Sequence, residues 1–373
     1  MSAFTRTDTS LVVRWWWTVD RWTLACIGLI IAIGAVLTLA ASPAVAERLG
    51  LDTFYFAKRQ FVFLGLAVVI MFVTSCLSPR NIRRLAVIFL CFSIILMIFT
   101  LLIGPEIKGA TRWLQIGAFS LQPSEFVKPT FAVVAAWMFA EQKLDEKFPG
   151  NSIATFLFSF IAILLLVQPD VGMTMVIAAV WSVQLFVAGL SLLLVMGLGL
   201  VFLAASMGAY FAFSHVQVRV DRFLDPAGGE SYQVSRALEA FFNGGLAGRG
   251  PGEGRIKEVL PDAHADFIFA VAGEEFGLVL CLILLGLFAF VVLRGFSRVL
   301  KSGDLFVLLA VTGLLVQFAV QAIINMASNT NLIPPKGMTL PFVSYGGSST
   351  LAIAIGIGMV LALTREQIGG IQR

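Results

Sequence analysis

The sequence predicts an all-α, polytopic membrane protein of about ten transmembrane helices, because of its composition and its long apolar runs. Of its 373 residues, 58% are hydrophobic and only 13% are charged, whereas soluble proteins average roughly 45–50% apolar and about 25% charged residues. Apolar runs near the length that crosses a bilayer, about 20 residues, recur along the whole chain. The net charge of +4 is small, so no nucleic-acid partner is expected.

The apolar runs define the predicted spans. They are 23–41, 60–77, 84–103, 124–141, 153–168, 171–188, 191–212, 267–293, 305–325 and 346–364. Only Pro169-Asp170 separates the fifth run from the sixth, and we expect a hairpin there because proline interrupts helices. The first run has features of a signal peptide, with Arg21 before it and Pro43-Ala44-Val45-Ala46 after it. Its length favours a retained helix over a cleaved signal.

An even number of spans places both termini on the same side of the membrane. The 26 Lys and Arg residues divide evenly between the two sides. Those on the side of the termini, however, lie in short segments such as 80–84 and 294–301, where positive charge governs topology. We therefore predict cytoplasmic tails over 1–21 and 365–373, within a single membrane domain that comprises the whole chain.

Three polar loops are predicted to share the outer face. The longest, 213–266, joins spans seven and eight, and long loops in compact folds are usually functional. The shorter loops 104–123 and 326–345 lie on the same side in this topology. No internal repeat is visible, which argues against an inverted-repeat transporter.

The fourth span begins with charged residues that carry one candidate site. Arg112 precedes it, and Glu125 and Lys128 are three residues apart, so they share a helical face. In the purely structural alternative, Ser124 caps the helix, Glu125 complements its dipole and the cations reach the interface. That alternative does not explain an ionisable Lys128 inside the span, and such residues are usually functional.

A second candidate is Asp266, the last polar residue before the eighth span. As aspartate is a favoured capping residue, the sequence leaves a helix cap and a catalytic acid equally open. His264 is one of only two histidines, and Glu274 and Glu275 follow within the same helix. Acids inside a span usually face the protein interior or a watery cavity.

Two further segments carry glycines and cations. The first, 243–255, lacks the Gly-Lys-Ser/Thr ending of a P-loop, so a flexible hinge is the favoured interpretation and phosphate binding by Arg249 the weaker one. In the second, Gly346-Gly347-Ser348-Ser349 opens the last span, where free backbone N–H groups favour anions. Lys336 would add positive charge there. A tight re-entrant turn would explain its prolines and glycines equally well.

Together these strings resemble the SEDS family of bacterial cell-wall polymerases, which includes FtsW, RodA and SpoVE. Six occur in the family's order: Lys108-Gly109-Ala110-x-Arg112-Trp113, Gln122-Pro123-Ser124-Glu125-x-x-Lys128, Gln168-Pro169-Asp170-x-Gly172, the glycine segment, His264-x-Asp266-Phe267-Ile268-Phe269-Ala270 and Ser344-Tyr345-Gly346-Gly347-Ser348-Ser349. Pro335-Lys336-Gly337 resembles the FtsW and SpoVE branches, as RodA-type members usually lack the Lys-Gly pair. Asp262 and Ala265 depart from the family's common Glu and Thr.

The resemblance implies a peptidoglycan glycosyltransferase that polymerises lipid II outside the bacterial cytoplasmic (inner) membrane, at the division septum. An elongation-type polymerase and a lipid II flippase are the alternatives. It also implies a divalent cation, Mg²⁺ or Mn²⁺, and a class B penicillin-binding protein as transpeptidase partner, together with other divisome proteins. Asp266 corresponds to the family's functional acid, and Glu125 and Lys128 to its charged residues in the fourth helix.

In the implied reaction, the α linkage between the glycan and undecaprenyl pyrophosphate is replaced by a β-1,4 glycosidic bond. A single displacement with inversion at the anomeric carbon achieves this. It needs a base at the acceptor hydroxyl, for which Asp266 is our candidate, and cations at the departing pyrophosphate. A metal ion would be held by Asp266 or Glu125. The predicted substrate-binding residues are Arg112, Glu125, Lys128, Arg249, His264, Lys336 and Ser348.

Overall fold

The computed structural model describes residues 11–106, 110–117, 119–190, 231–334 and 336–365, with scattered positions between 193 and 221. The helices are α1 Leu11–Thr18, α2 Arg21–Arg48, α3 Tyr55–Ser75, α4 Pro79–Ile103, α5 Pro123–Leu144, α6 Gly150–Val167, α7 Val171–Val187, α8 Ser231–Gly244, α9 Ile256–Val259, α10 Ile268–Val299, α11 Leu305–Asn329 and α12 Gly347–Leu363. Strands β1 Leu114–Ile116 and β2 Phe119–Leu121 pair antiparallel.

Each predicted span that the structure describes in full overlaps a helix, although α5, at the predicted fourth span, is not among the helices apolar enough to count as candidate membrane spans. Six described helices, α2, α3, α4, α6, α10 and α11, are long and apolar enough to cross a membrane, and α7 and α12 are shorter apolar helices. The protein is therefore a mostly helical, multi-pass membrane protein. The predicted span 191–212 and the first part of the loop 213–266 lie largely outside the described residues, so the count of ten stays a prediction.

The α6–α7 connection has the predicted hairpin form. α6 ends at Val167, and the side chain of Asp170 caps α7 by accepting a hydrogen bond from Met173 N at 3.2 Å. α2 extends through Pro43 and packs against α3 and α10.

Four elements were missed because all of them are too short to span a membrane and lie inside predicted loops or tails. The β1–β2 hairpin occupies the loop 104–123, where Gly117 adopts a positive φ of 61° at the turn. α8 and α9 lie inside the predicted long loop. α1 lies inside the predicted N-terminal tail and packs there through Val13 and Trp15, both buried.

α11 forms the centre of the bundle. In its most apolar stretch 72% of the residues are buried, against 22–33% for the other five long apolar helices. It packs against α5, α7, α10 and α12. Polar residues on α11 therefore face protein rather than lipid, and three of them reach the candidate site.

Candidate functional site

Asp266 does not occupy the N-cap position of the helix that follows it. It lies in a turn over 261–267; α10 begins at Ile268, and Phe267 occupies the cap position without a side-chain hydrogen bond. The side chain of Asp266 is partly exposed. Its backbone carbonyl accepts hydrogen bonds from Asn325 Nδ2 at 3.0 Å and Asn329 Nδ2 at 2.9 Å. Of the two interpretations that the sequence left open, the N-cap position therefore belongs to Phe267, and the catalytic role stays a prediction.

The loop that contains Lys336 lies directly against this turn. A Cβ atom on Gly337 would come within 3.2 Å of Asp266 Oδ2, so the carboxylate faces the backbone next to Lys336. Ser344 Oγ donates to Ala265 O at 2.6 Å, and Tyr345 N donates to His264 O at 2.9 Å. These contacts bring together the acid of the second predicted cluster and the basic loop of the fourth.

Glu125 and Lys128 form an ion pair inside the bundle, with Nζ 2.7 Å from Oε2. Lys128 Nζ also donates to Gln321 Oε1 at 2.7 Å, and only 1% of Lys128 is exposed. Its predicted direct contact with a phosphate therefore does not fit this conformation. Ser124, at the second position of α5, does not cap the helix either.

Gln321 connects this ion pair to the loop beside Asp266. Its Nε2 donates to Thr339 O at 3.0 Å and to Ser349 Oγ at 3.1 Å. Our sequence reasoning missed Gln321, Asn325 and Asn329, although amides at four-residue spacing in an apolar helix were a usable signal.

Arg112 is bound to the α6–α7 turn. Its Nε donates to Gln168 O at 3.1 Å, its Nη2 donates to Pro169 O, and its Nη1 lies 3.6 Å from Asp170 Oδ2. The structure thus joins the first predicted string, whose Lys108 and Gly109 lie outside the described residues, to the Gln-Pro-Asp string. In this position Arg112 supports the turn, with about a quarter of its side chain exposed.

His264 and Ser348 both contact other elements of the protein in this conformation. The His264 ring lies between Phe56 and Tyr345, with centroid distances of 4.3 and 5.2 Å, and burial raises the pKa of Tyr345. Ser348 Oγ accepts a hydrogen bond from Gln122 N at 3.0 Å. α12 begins at Gly347 as predicted, and Ser348 connects it to the start of α5.

The glycine segment fills a break in α10 and is not a free hinge. Gly277 has a φ of 72° and a ψ of −172°, so α10 consists of two halves, 268–276 and 278–299. We name them the outer and the inner half after the predicted topology. Residues 245–250 supply hydrogen bonds to the backbone groups that the break releases, including Leu278 N to Gly245 O at 2.9 Å and Gly250 N to Glu275 O at 2.9 Å. Broken helices at membrane depth require this kind of backbone satisfaction.

The two acids of the outer half hold this segment in place. Glu274 accepts hydrogen bonds from Arg255 N and Ile256 N at 3.0 Å. Glu275 pairs with Lys257 at 2.5 Å, and both are buried. Arg249 lies 4.0 Å from Glu274, and its side chain is 38% exposed, so it is more accessible than Lys257.

The described residues contain no group of three His, Cys, Asp or Glu side chains arranged to hold a metal ion. Mg²⁺, however, is often bound by one or two carboxylates together with substrate phosphates, and the partly exposed Asp266 fits that requirement. Glu125 fits it poorly, because it is 5% exposed and already pairs with Lys128.

Comparisons with known proteins agree with one another. The family of FtsW, RodA and SpoVE, described as cell cycle proteins, matches residues 20–368. A probable peptidoglycan glycosyltransferase FtsW from Caulobacter vibrioides is 50% identical over 369 residues, covering 98% of this chain and 94% of its own length. The stage V sporulation protein E of Bacillus subtilis is 33% identical, covering 90% and 94%.

Solved structures show the same fold. A chain from a peptidoglycan synthase complex, described as coordinating polymerization and crosslinking, has a TM-score of 0.75 and 27% identity, and the match covers 93% of this chain and 97% of that one. The rod shape determining protein RodA of Thermus thermophilus has a TM-score of 0.67 and 27% identity, covering 94% and 97%.

Proposed function

The chain belongs to the FtsW/RodA/SpoVE family of cell cycle proteins, and from this membership we propose that it is a peptidoglycan glycosyltransferase that polymerises lipid II. The observation that carries the proposal is the position of Asp266. This acid lies one residue before the N-cap position, is partly exposed, is held through its backbone by two buried amides and faces the loop of Lys336. Such an acid beside a cationic loop suits sugar transfer from a pyrophosphate.

The proposed cellular role is polymerisation during cell division. The 50% identity to an FtsW protein supports a division role over elongation, as does the Lys336-Gly337 pair. The proposed location is the bacterial cytoplasmic membrane at the septum, with both termini in the cytoplasm. The concentration of Arg and Lys in short segments such as 80–84 supports this orientation.

In the proposed reaction, the 4-hydroxyl of the GlcNAc in lipid II attacks the anomeric carbon of the donor MurNAc. The new β-1,4 C–O bond forms as the bond to undecaprenyl pyrophosphate breaks, with inversion at the anomeric carbon. Asp266 takes the hydroxyl proton, and general base catalysis of this kind is worth about 10²–10⁴ in rate. No enzyme nucleophile is needed for a single displacement.

The leaving pyrophosphate needs positive charge. Lys336 is our first candidate, because its neighbour Gly337 lies against the Asp266 carboxylate. Arg249 is the second, since its side chain is more than one-third exposed. Lys128 and Arg112 contribute by holding other residues in place. Lys128 binds Gln321, and Arg112 binds the α6–α7 turn.

A divalent cation, Mg²⁺ or Mn²⁺, belongs to this proposal. Asp266 would hold it together with the phosphate oxygens of the substrate. The ion would supply charge stabilisation at the leaving group. We further propose a class B penicillin-binding protein as transpeptidase partner, together with other divisome proteins. The likeness to a chain of a peptidoglycan synthase complex supports such a partner.

The proposal is tested by giving the purified protein lipid II and a divalent cation, with and without the transpeptidase, and separating products on a gel. We expect glycan strands. Fluorescent lipid II in proteoliposomes provides the second arm of the test. Lipid II that crosses the bilayer without forming polymer would contradict the proposal and make the chain a lipid flippase.

A further inference from the structure

Three amide side chains form a stripe along one face of the central helix α11. Gln321, Asn325 and Asn329 follow one another at four-residue spacing, which places them on the same helical face. All three are at most 1% exposed. Asparagine is a poor helix former, and buried amides require hydrogen-bond partners, so their contacts indicate what they are for.

Asn325 and Asn329 both bind the backbone of Asp266. Each donates to its carbonyl, at 3.0 and 2.9 Å. In a continuous helix that carbonyl would receive Ala270 N. Here Ala270 N donates to Phe267 O at 3.0 Å and to Asn329 Oδ1 at 3.2 Å instead. The two amides therefore replace the helical hydrogen bond and fix the residue that carries the acid.

Asn325 also binds the loop opposite the acid. Its Nδ2 donates to Met338 O at 2.6 Å, two residues after Lys336. One side-chain amide thus joins the backbone of Asp266 to the backbone of the basic loop. The Asn325 Oδ1 atom accepts no hydrogen bond within the described part of the chain. The Asn325 side chain therefore acts there as a donor, through Nδ2.

We infer that Asn325 and Asn329 are positioning residues of the glycosyltransferase, a role that rests on the proposed function. They hold Asp266 and the Lys336 loop at the separation that the displacement needs. Neither amide is accessible to a substrate, since both are fully buried. Displacements of about 1 Å in such groups can reduce the rate about 100-fold.

A buried amide elsewhere in the bundle provides the matched control. Gln184 on α7 is fully buried and donates to two carbonyls, Ala132 O at 2.7 Å and Leu309 O at 3.0 Å. Neither carbonyl belongs to the loops around Asp266. Gln184→Met therefore removes a buried amide that donates to two carbonyls, as Asn325→Leu does, but leaves the contacts around Asp266 intact.

The test compares Asn325→Leu with Gln184→Met in the full-length protein with its transpeptidase, measuring kcat and KM for lipid II and the melting temperature. We expect Asn325→Leu to lower kcat by ~10- to ~100-fold at an unchanged KM. Gln184→Met should lower the melting temperature by a similar amount and keep kcat. Asn329→Leu, which removes one donor to Asp266, should give a smaller fall in kcat and serves if Asn325→Leu does not fold.

The inference is overturned if the asparagine variants and Gln184→Met change kcat equally, or if the loss appears in KM alone. Wild-type protein that forms no polymer would instead contradict the proposed function, so the two failures are distinguishable.

Discussion

One acid lies near each end of α10, at the ends farthest from Gly277. The surroundings of the two acids differ. Asp20 meets the inner half, where its Oδ2 lies 3.0 Å from Arg294 Nε and 3.1 Å from Arg298 Nε, and it is 2% exposed. Asp266 precedes the outer half and remains partly exposed, and its backbone carbonyl accepts two hydrogen bonds from buried amides.

This difference suits Asp20 to stabilising the fold and Asp266 to the proposed chemistry. A buried carboxylate enclosed by cations fixes helices together, but has no oxygen left for a substrate. Asp266 is anchored through its main-chain carbonyl and is partly exposed, so a substrate can reach it. The outer half of α10 is accordingly surrounded by polar support, from Glu274 and Glu275 to Asn329, whereas the inner half exposes apolar residues such as Leu282 and Leu293.

The largest stability effect is expected at the buried pair of the outer half. Within the described residues, Lys257→Met leaves the buried Glu275 side chain with Gly252 N as its one hydrogen-bond donor. The change should cost about 3–5 kcal/mol because an uncompensated buried charge remains. Thermal unfolding in detergent measures this. Lys58→Met, which removes an exposed pair with Asp52, is the control and should leave the melting temperature unchanged. Equal effects would show that burial of the pair is unimportant.

The junction between the halves is the next test. Gly277→Ala places a side chain at a φ of 72° and a Cβ only 2.3 Å from Leu246 O. Strained backbone of this kind costs of order 1–3 kcal/mol, and the glycine segment must also move. Gly286→Ala is the control, since nothing lies within 4 Å of its added Cβ. A melting temperature unaffected by Gly277→Ala would contradict the described break.

The smallest effect is expected at the inner end, and it depends on pH. Burial alone would raise the pKa of Asp20, but hydrogen bonds from Arg294 and Thr23 and the charge of Arg298 outweigh it and lower the pKa. The stabilisation is therefore present above the unfolded pKa of about 3.9 and is lost as the pH falls through the lower folded value. Asp20→Asn should cost about 1.5–3 kcal/mol at pH 7.

That cost should shrink in acid. Melting temperatures of wild-type protein and Asp20→Asn, measured at neutral pH and below pH 4, provide the comparison. If the difference between them stays constant as the carboxyl is protonated, the stabilisation does not come from the ionised form.

The sequence was informative about spans and less so about contacts. Apolar runs located the described long helices because membrane crossing fixes their length. Asp266 was identified as a candidate because it is the last polar residue before the eighth predicted span. The roles of Lys128 and Arg112 depended on partners far along the chain, Gln321 and Gln168, which no local pattern contains. The break at Gly277 was hidden inside a continuous apolar run.

The central claim is that Asp266 acts chemically and does not serve as structural support. Asp266→Asn is best compared with Asp262→Asn, since Asp262 lies in the same turn with a φ of 53° that asparagine also tolerates. With purified protein, partner, lipid II and divalent cation, we predict that Asp266→Asn lowers the polymerisation rate by about 10²–10⁴ without lowering the melting temperature, while Asp262→Asn stays close to wild type. Full polymerisation by Asp266→Asn would contradict the account.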